Sequence, residues 1–201
     1  MSATFFYLAH HPESRQRVVE ELQTTFAGES EIAVGAKLES CKYLGACINE
    51  AMRLVPSVPN VLPRYVQSGG THVDGEFMPE GTILGCSQYS VNRNPDYFPQ
   101  PDSYCPERWL EDEKSPIGDV DLARRAFLPF GTGPRTCVGW KLAWTETNLT
   151  LAKTLFSFDM RVAPDAPCCG GKTPGSNCDY HLKGFAVAVV NGPYLQFKRR
   201  T

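Results

Sequence analysis

Ten consecutive residues, Phe130-Gly131-Thr132-Gly133-Pro134-Arg135-Thr136-Cys137-Val138-Gly139, bring a thiol, a permanent cation and three glycines together. A cysteine thiolate is a nucleophile and a soft metal ligand. Gly131 and Gly133 permit a tight turn and a close approach of the backbone to a flat ligand. Arg135 offers a planar cation that pairs with a carboxylate through two parallel hydrogen bonds. Cys137 stands just before an apolar helical segment, and the positive end of a helix favours an anion. Gly139 removes side-chain bulk beside the sulfur. For an isolated Gly-x-x-x-Cys, a buried cysteine in a glycine turn is the plainer reading. The ordered set of Phe130, two glycines, Arg135, Cys137 and Gly139 is far more specific.

Glu50 and Arg53 form a second constellation, Glu-x-x-Arg. Alone it reads as a surface i,i+3 ion pair worth about 0.2–0.5 kcal/mol. Pro106-Glu107-Arg108-Trp109 follows, in an irregular segment before the cysteine loop. Its arginine can close a Glu50–Arg53–Arg108 network, and a buried network of that kind would pin that segment rather than carry out chemistry. Arg64, by position alone, reads as a surface arginine. His10, His11, His72 and His181 show no metal spacing among themselves. Cys168, Cys169, Cys178 and His181 supply the donors of a tetrahedral zinc site. Adjacent cysteines serve one metal awkwardly, so a loop with free thiols is the simpler reading.

The elements that must position these residues follow from periodicity. Ser2–Ala9 reads as the end of an apolar helix, and Pro12 restarts a second one at its first turn. Val18, Val19, Leu22 and Phe26 then recur at helical spacing, with Gly28 as the stop. Leu44, Cys47, Ile48, Ala51, Met52 and Val55 mark the clearest amphipathic helix, ended by Pro56 and Pro59. Glu50 and Arg53 lie off that stripe. Between Arg64 and Val91, short strand candidates separated by Gly69-Gly70, Asp74-Gly75 and Glu80-Gly81 predict a small antiparallel sheet. Residues 92–130 read as Pro-rich and irregular, a length unusual in a compact domain unless it serves a site. Trp140–Phe156 reads as a largely buried helix, and Phe185–Val190 as a late strand.

Composition bounds the function. The chain has 201 residues, 42% hydrophobic and 21% charged, with a net charge of −2. That suits one soluble globular domain and gives no broad basic surface for nucleic acid. No stretch approaches the roughly 20 apolar residues of a membrane span, and no signal peptide is evident, so an intracellular chain is expected. Eight scattered cysteines then read as reduced thiols.

Three motifs stand in one order: Glu50-x-x-Arg53, Pro106-Glu107-Arg108-Trp109, and the cysteine loop ending at Gly139. In that order they resemble the C-terminal half of the cytochrome P450 (haem-thiolate monooxygenase) superfamily. Asn92-Arg93-Asn94-Pro95 and residues 102–109 are similar as well. Phe5-Phe6-Tyr7-Leu8 and the prolines after Arg53 resemble fungal benzoate 4-monooxygenase-like members. The resemblance covers residues 2–160 well and the tail loosely.

The resemblance implies a mainly α fold with small β-sheets (α+β). It implies a partial cytochrome P450 fold in which residues 1–201 form a single partial domain, the proximal haem-binding half, with the haem-ligand loop at 130–139. It implies that Cys137 ligates the iron of haem b, that Arg64 and Arg135 pair with its propionates, and that Phe130 packs near the sulfur. Gly139 completes the haem contacts, while Glu50, Arg53 and Arg108 form the structural set beneath the haem.

The implied reaction inserts one oxygen of O₂ into a small organic substrate, in secondary or aromatic metabolism. Electrons come from an NADPH-dependent cytochrome P450 reductase. The family's distal acid–threonine pair is expected to be absent, so no catalytic residue is assigned here. The membrane anchor that would hold a full-length relative on the endoplasmic reticulum is expected to be absent too. A half-fold is expected to expose apolar faces on the Leu44–Val55 and Trp140–Phe156 helices. Two alternatives stand beside this: a haem-holding remnant without turnover, and a zinc-binding interaction module at the C-terminal cysteines.

Overall fold

The computed structural model describes all residues except 112–117, 165, 167–179, 181, 185–186, 191 and 201. Cys168, Cys169, Cys178 and His181 lie outside the described residues, as does part of the strand expected at 185–190.

Helix α1 (Ser2–His10) and helix α2 (Pro12–Thr25) meet at His11, with Pro12 at the first helical position of α2. There its missing N–H costs nothing. A short turn, α3 (Ala36–Glu39), leads into α4 (Lys42–Leu54). Glu21 of α2 caps α4, accepting from the Tyr43 and Leu44 amides at 2.8 and 2.9 Å. A carboxylate there satisfies orphan donors and opposes the positive helix end. The main core joins Val18, Val19 and Leu22 of α2 to Leu44, Cys47 and Ile48 of α4. It continues through Leu151, Ala152 and Leu155 of helix α7 (Trp140–Ser157). Each valine, leucine or isoleucine among them contributes about 1.5–3 kcal/mol on full burial.

The sheet expected after Arg64 is two separate pairs. Strand β1 (Arg64–Tyr65) runs antiparallel to β4 (Ile83–Leu84), and β2 (Thr71–Val73) to β3 (Glu76–Met78). Asp74 and Gly75 both take positive φ (51° and 83°), the geometry of a tight hairpin turn. Two further helices interrupt the segments read as strand or irregular: α5 (Gln88–Val91) and α6 (Val120–Ala126). Both begin at a side-chain cap, Ser87 accepting from Ser90 N and Asp119 from Asp121 N and Leu122 N. Strand β5 (Phe158–Val162) follows α7. Strands β6 (Leu182–Gly184) and β7 (Ala188–Val190) pair with each other, and β8 (Leu195–Arg199) pairs with β5. The architecture is α+β: helices form the core and two-stranded sheets lie around it.

Two burial expectations need correction. Helix α4 is buried on nearly every side, not on one stripe, and Leu44 is 0% exposed. Its apolar face is therefore covered within this chain, by α1, α2 and the segment that carries Arg108. Helix α7 is only half buried. Its C-terminal half packs on α2 and α4, whereas Leu142 is 72% exposed and Trp140 41%.

Candidate functional site

The cysteine loop is closed by its own backbone. The Cys137 amide donates to Phe130 O at 2.8 Å, bringing the two ends of the loop together. Between them Gly131 (φ +72°) and Gly133 (φ +71°) adopt the left-handed region that a side chain disfavours. Residues Gly133–Arg135 form one 3-10 turn, which the Thr136 amide and hydroxyl both tie to Gly133 O. Cys137 O then accepts from Trp140 N at 3.3 Å, leading the chain into α7 with Gly139 at its N-cap.

This loop holds its functional groups outward. Arg135 and Cys137 are exposed, and Val138 is fully exposed at 102%. A Cβ built at Gly139 meets nothing within 4 Å, so the space around Gly139 is open. Phe130 is partly buried. Cys86 is also exposed, whereas Cys41 and Cys47 are buried. Burial pushes the Cys41 and Cys47 thiols up from their ordinary pKa. Burial likewise holds the Cys105 thiol high, with Arg108 pulling the other way.

Glu50, Arg53 and Arg108 do meet, and they meet inside the protein. Glu50 and Arg53 are 0% exposed and Arg108 is 1% exposed. Glu50 Oε1 accepts from Arg53 Nη2 at 2.9 Å, and from Arg108 Nε and the Cys105 amide at 3.0 Å. Its Oε2 accepts from Arg53 Nε and Trp109 Nε1, both at 3.0 Å. Arg53 uses its remaining N–H groups on the carbonyls of Asn92 (2.7 Å), Pro101 (2.6 Å) and Ser103 (3.1 Å). All five of its donors are engaged. Arg108 Nη1 and Nη2 donate to the carbonyls of Pro99 and Gln100. One carboxylate and two guanidinium groups thus gather an otherwise irregular stretch, residues 92–109, onto α4.

Sequence reasoning missed the neutral members of this network. Asn92 is buried and donates to Arg53 O at 3.0 Å. The Trp109 ring lies 4.7 Å from Phe127 and 6.2 Å from Phe98. The available signal was Trp109 itself, since a buried indole N–H requires an acceptor. Arg64 stands on β1, exposed, with its guanidinium donating to Pro63 O. Among the described residues it forms no hydrogen bond or ion pair with the cysteine loop. Arg135 likewise has no carboxylate partner among them. No cluster of three His, Cys, Asp or Glu suited to a metal occurs among the described residues.

Known proteins are similar to this sequence. The cytochrome P450 family model matches residues 1–169. A cytochrome P450 monooxygenase of Emericella nidulans, atnE, is 39% identical over 100% of this chain and 38% of its own length. One of Penicillium oxalicum, poxM, is 39% identical over 99% of this chain and 36% of its own. A third, apf8 of Gibberella fujikuroi, is 38% identical over 100% of this chain and 55% of its own. The chain therefore spans between about a third and about half of the length of these fungal relatives. With the match extending over most of its residues, the chain belongs to the cytochrome P450 family.

Proposed function

We propose that this chain is the haem-binding part of a monooxygenase that inserts one oxygen atom of O₂ into a small organic substrate, in secondary or aromatic metabolism. The observation that carries this reading is the outward-facing Cys137, presented by a glycine loop at the head of α7. The family binds haem b through a cysteine thiolate, and the bound haem supplies the activation of O₂. The residues here fit such a group. A flat, mostly apolar ring with carboxylate arms needs a thiolate, open space beside it, apolar surface and cations. Cys137, Gly139, the exposed Val138 and Leu142, and the exposed Arg135 and Arg64 supply that set.

In this reading Cys137 ligates the iron as thiolate and Phe130 packs beside the sulfur. Arg135 and Arg64 each donate to a propionate, and Gly139 leaves room for the ring. Glu50, Arg53 and Arg108 are positioning residues, holding the segment on which α6 and the loop rest. Electrons reach the site from an NADPH-dependent reductase, and a full-length relative is expected on the endoplasmic reticulum membrane. Among the described residues no helix is long and apolar enough to cross a membrane.

The test is a spectrum. Reconstituted with haem, reduced and treated with carbon monoxide, the chain is expected to give the long-wavelength band of a thiolate-ligated haem. Cys137→Ser is expected to abolish it. A folded chain that takes up no haem overturns the reading. Haem uptake without product, given reductase, O₂ and a panel of aromatic substrates, reduces it to haem holding.

A further inference from the structure

We propose that the cleft between α3, the first turns of α4 and the middle of α7 binds a small phenol-type aromatic molecule. The cleft measures about 130 Å³ and is lined by Leu38, Cys41, Gly45, Trp144 and Asn148, with Lys42 at its edge. A cavity of about 150 Å³ takes up benzene, so this slightly smaller but open cleft matches one small ring and nothing larger. Its floor is bare because Gly45 carries no side chain, and a Cβ there would point at the Trp144 ring, 3.9 Å away. An interior helical glycine costs about 1 kcal/mol against alanine. With no side chain at Gly45, Trp144 forms part of the cleft wall.

Polarity narrows the ligand. Asn148 is 7% exposed, and its Nδ2 donates to Trp144 O at 2.8 Å. That bond fixes the orientation of the amide and leaves Oδ1 as an acceptor with no donor among the described residues. A ring that packs on Trp144 and carries one O–H completes the site. A carboxylate would repel Oδ1. Bound there, the ring touches both α4, which carries Glu50 and Arg53, and α7, which begins at the cysteine loop.

The test uses the full chain and fluorine NMR with two probes, 4-fluorophenol and fluorobenzene. Saturable binding of both is expected, with the phenol tighter by about 2- to 12-fold, the worth of one hydrogen bond. Asn148→Leu is expected to erase that preference while fluorobenzene still binds. Gly45→Leu is expected to exclude both probes, and Gly45→Ala to weaken both if the bulkier variant fails to fold. Cys137→Ser is expected to leave both affinities unchanged, separating this cleft from the cysteine loop. Equal affinity for the two probes, a preference that survives Asn148→Leu, loss of binding in Cys137→Ser, or no saturable binding overturns the proposal.

Discussion

Replacing Glu50 by glutamine separates the two readings of the Glu-x-x-Arg motif. The side chain keeps its shape and loses its charge. In the protein it accepts five hydrogen bonds, and every donor belongs to a buried or partly buried group. A glutamine retains one carbonyl oxygen and turns an NH₂ toward donors that need an acceptor. It also leaves Arg53 and Arg108 as buried cations without a counter-charge. Removing one member of a buried ion pair costs about 3–5 kcal/mol. In a chain of this length about 1 kcal/mol moves the melting point by 2–4 °C, so a drop of about 6–20 °C is expected. The contrast is Arg17→Ala, which removes an ion pair to Glu107 whose side chains are 50% and 33% exposed. That change is expected to cost about 1 kcal/mol or less. Urea unfolding followed by circular dichroism measures both. If Glu50→Gln costs no more than Arg17→Ala, the network is not the anchor of residues 92–109 and its role in holding the loop fails.

The loop glycines divide by backbone. Gly131→Ala forces a side chain into φ +72° and is expected to cost about 1–2 kcal/mol in urea unfolding. Gly139 has φ −88° and open space, so Gly139→Ala is expected to leave unfolding unchanged. Any loss of haem retention in Gly139→Ala then reports contact with the ring, and unchanged retention would argue against that contact. His11 is held below its ordinary pKa of 6.5 by burial, with His10 adding to the effect and Glu13 opposing it. The folded state therefore resists a proton that the unfolded chain accepts. This contribution to stability is full above about pH 6.5 and is lost as pH falls through that value toward the folded pKa. His11→Gln is expected to flatten that part of the stability curve, and parallel curves for the two proteins would refute the assignment. In the haem-free chain an alkylating thiol reagent is expected to modify Cys86 and Cys137 ahead of Cys41 and Cys47. Peptide mass mapping reads the order, and early labelling of Cys47 would contradict its burial.

The parts of this fold legible in the sequence are those governed by local period and local backbone chemistry. The break at Pro12, the presence of helix α4 and the Asp74-Gly75 turn all depend on residues a few positions apart. The Glu50–Arg53 pair alone read as a surface contact, and only Arg108 suggested a buried network; its carbonyl partners were not legible. Its surroundings come from Asn92, Pro101, Ser103 and Arg108, some 39 to 58 positions away. Helix α7 misled for the same reason in reverse. Leu142, Leu149 and Phe156 share a spacing of seven, yet only the C-terminal half of α7 meets α2 and α4. Helix α6 was missed although Asp119 marks its start, because seven residues give too little periodicity to stand out. At the candidate site, the residue types of the cysteine loop were readable. Its outward presentation was not, since exposure depends on what packs against it.

The buried network and the exposed loop are linked through aromatic packing rather than through charge. Glu50 fixes the Trp109 indole by its N–H, and the indole ring packs on Phe127, 4.7 Å between centroids. Phe127 ends α6, and a turn in which Gly131 N donates to Leu128 O carries the chain on through Phe130. Phe130 O in turn holds the Cys137 amide. A hydrogen bond to a buried carboxylate and a ring contact both fix direction as well as distance. Ordering therefore passes from α4 to the loop without any charged side chain entering the loop. Arg135 and Cys137 are left free of internal partners among the described residues. A thiol and a cation already satisfied within the chain would have to break those contacts before binding an iron or a carboxylate. Placing the charge-bearing scaffold inside and the loop's thiol and cation outside removes that cost, and it joins buried and exposed ionisable groups in one connected unit.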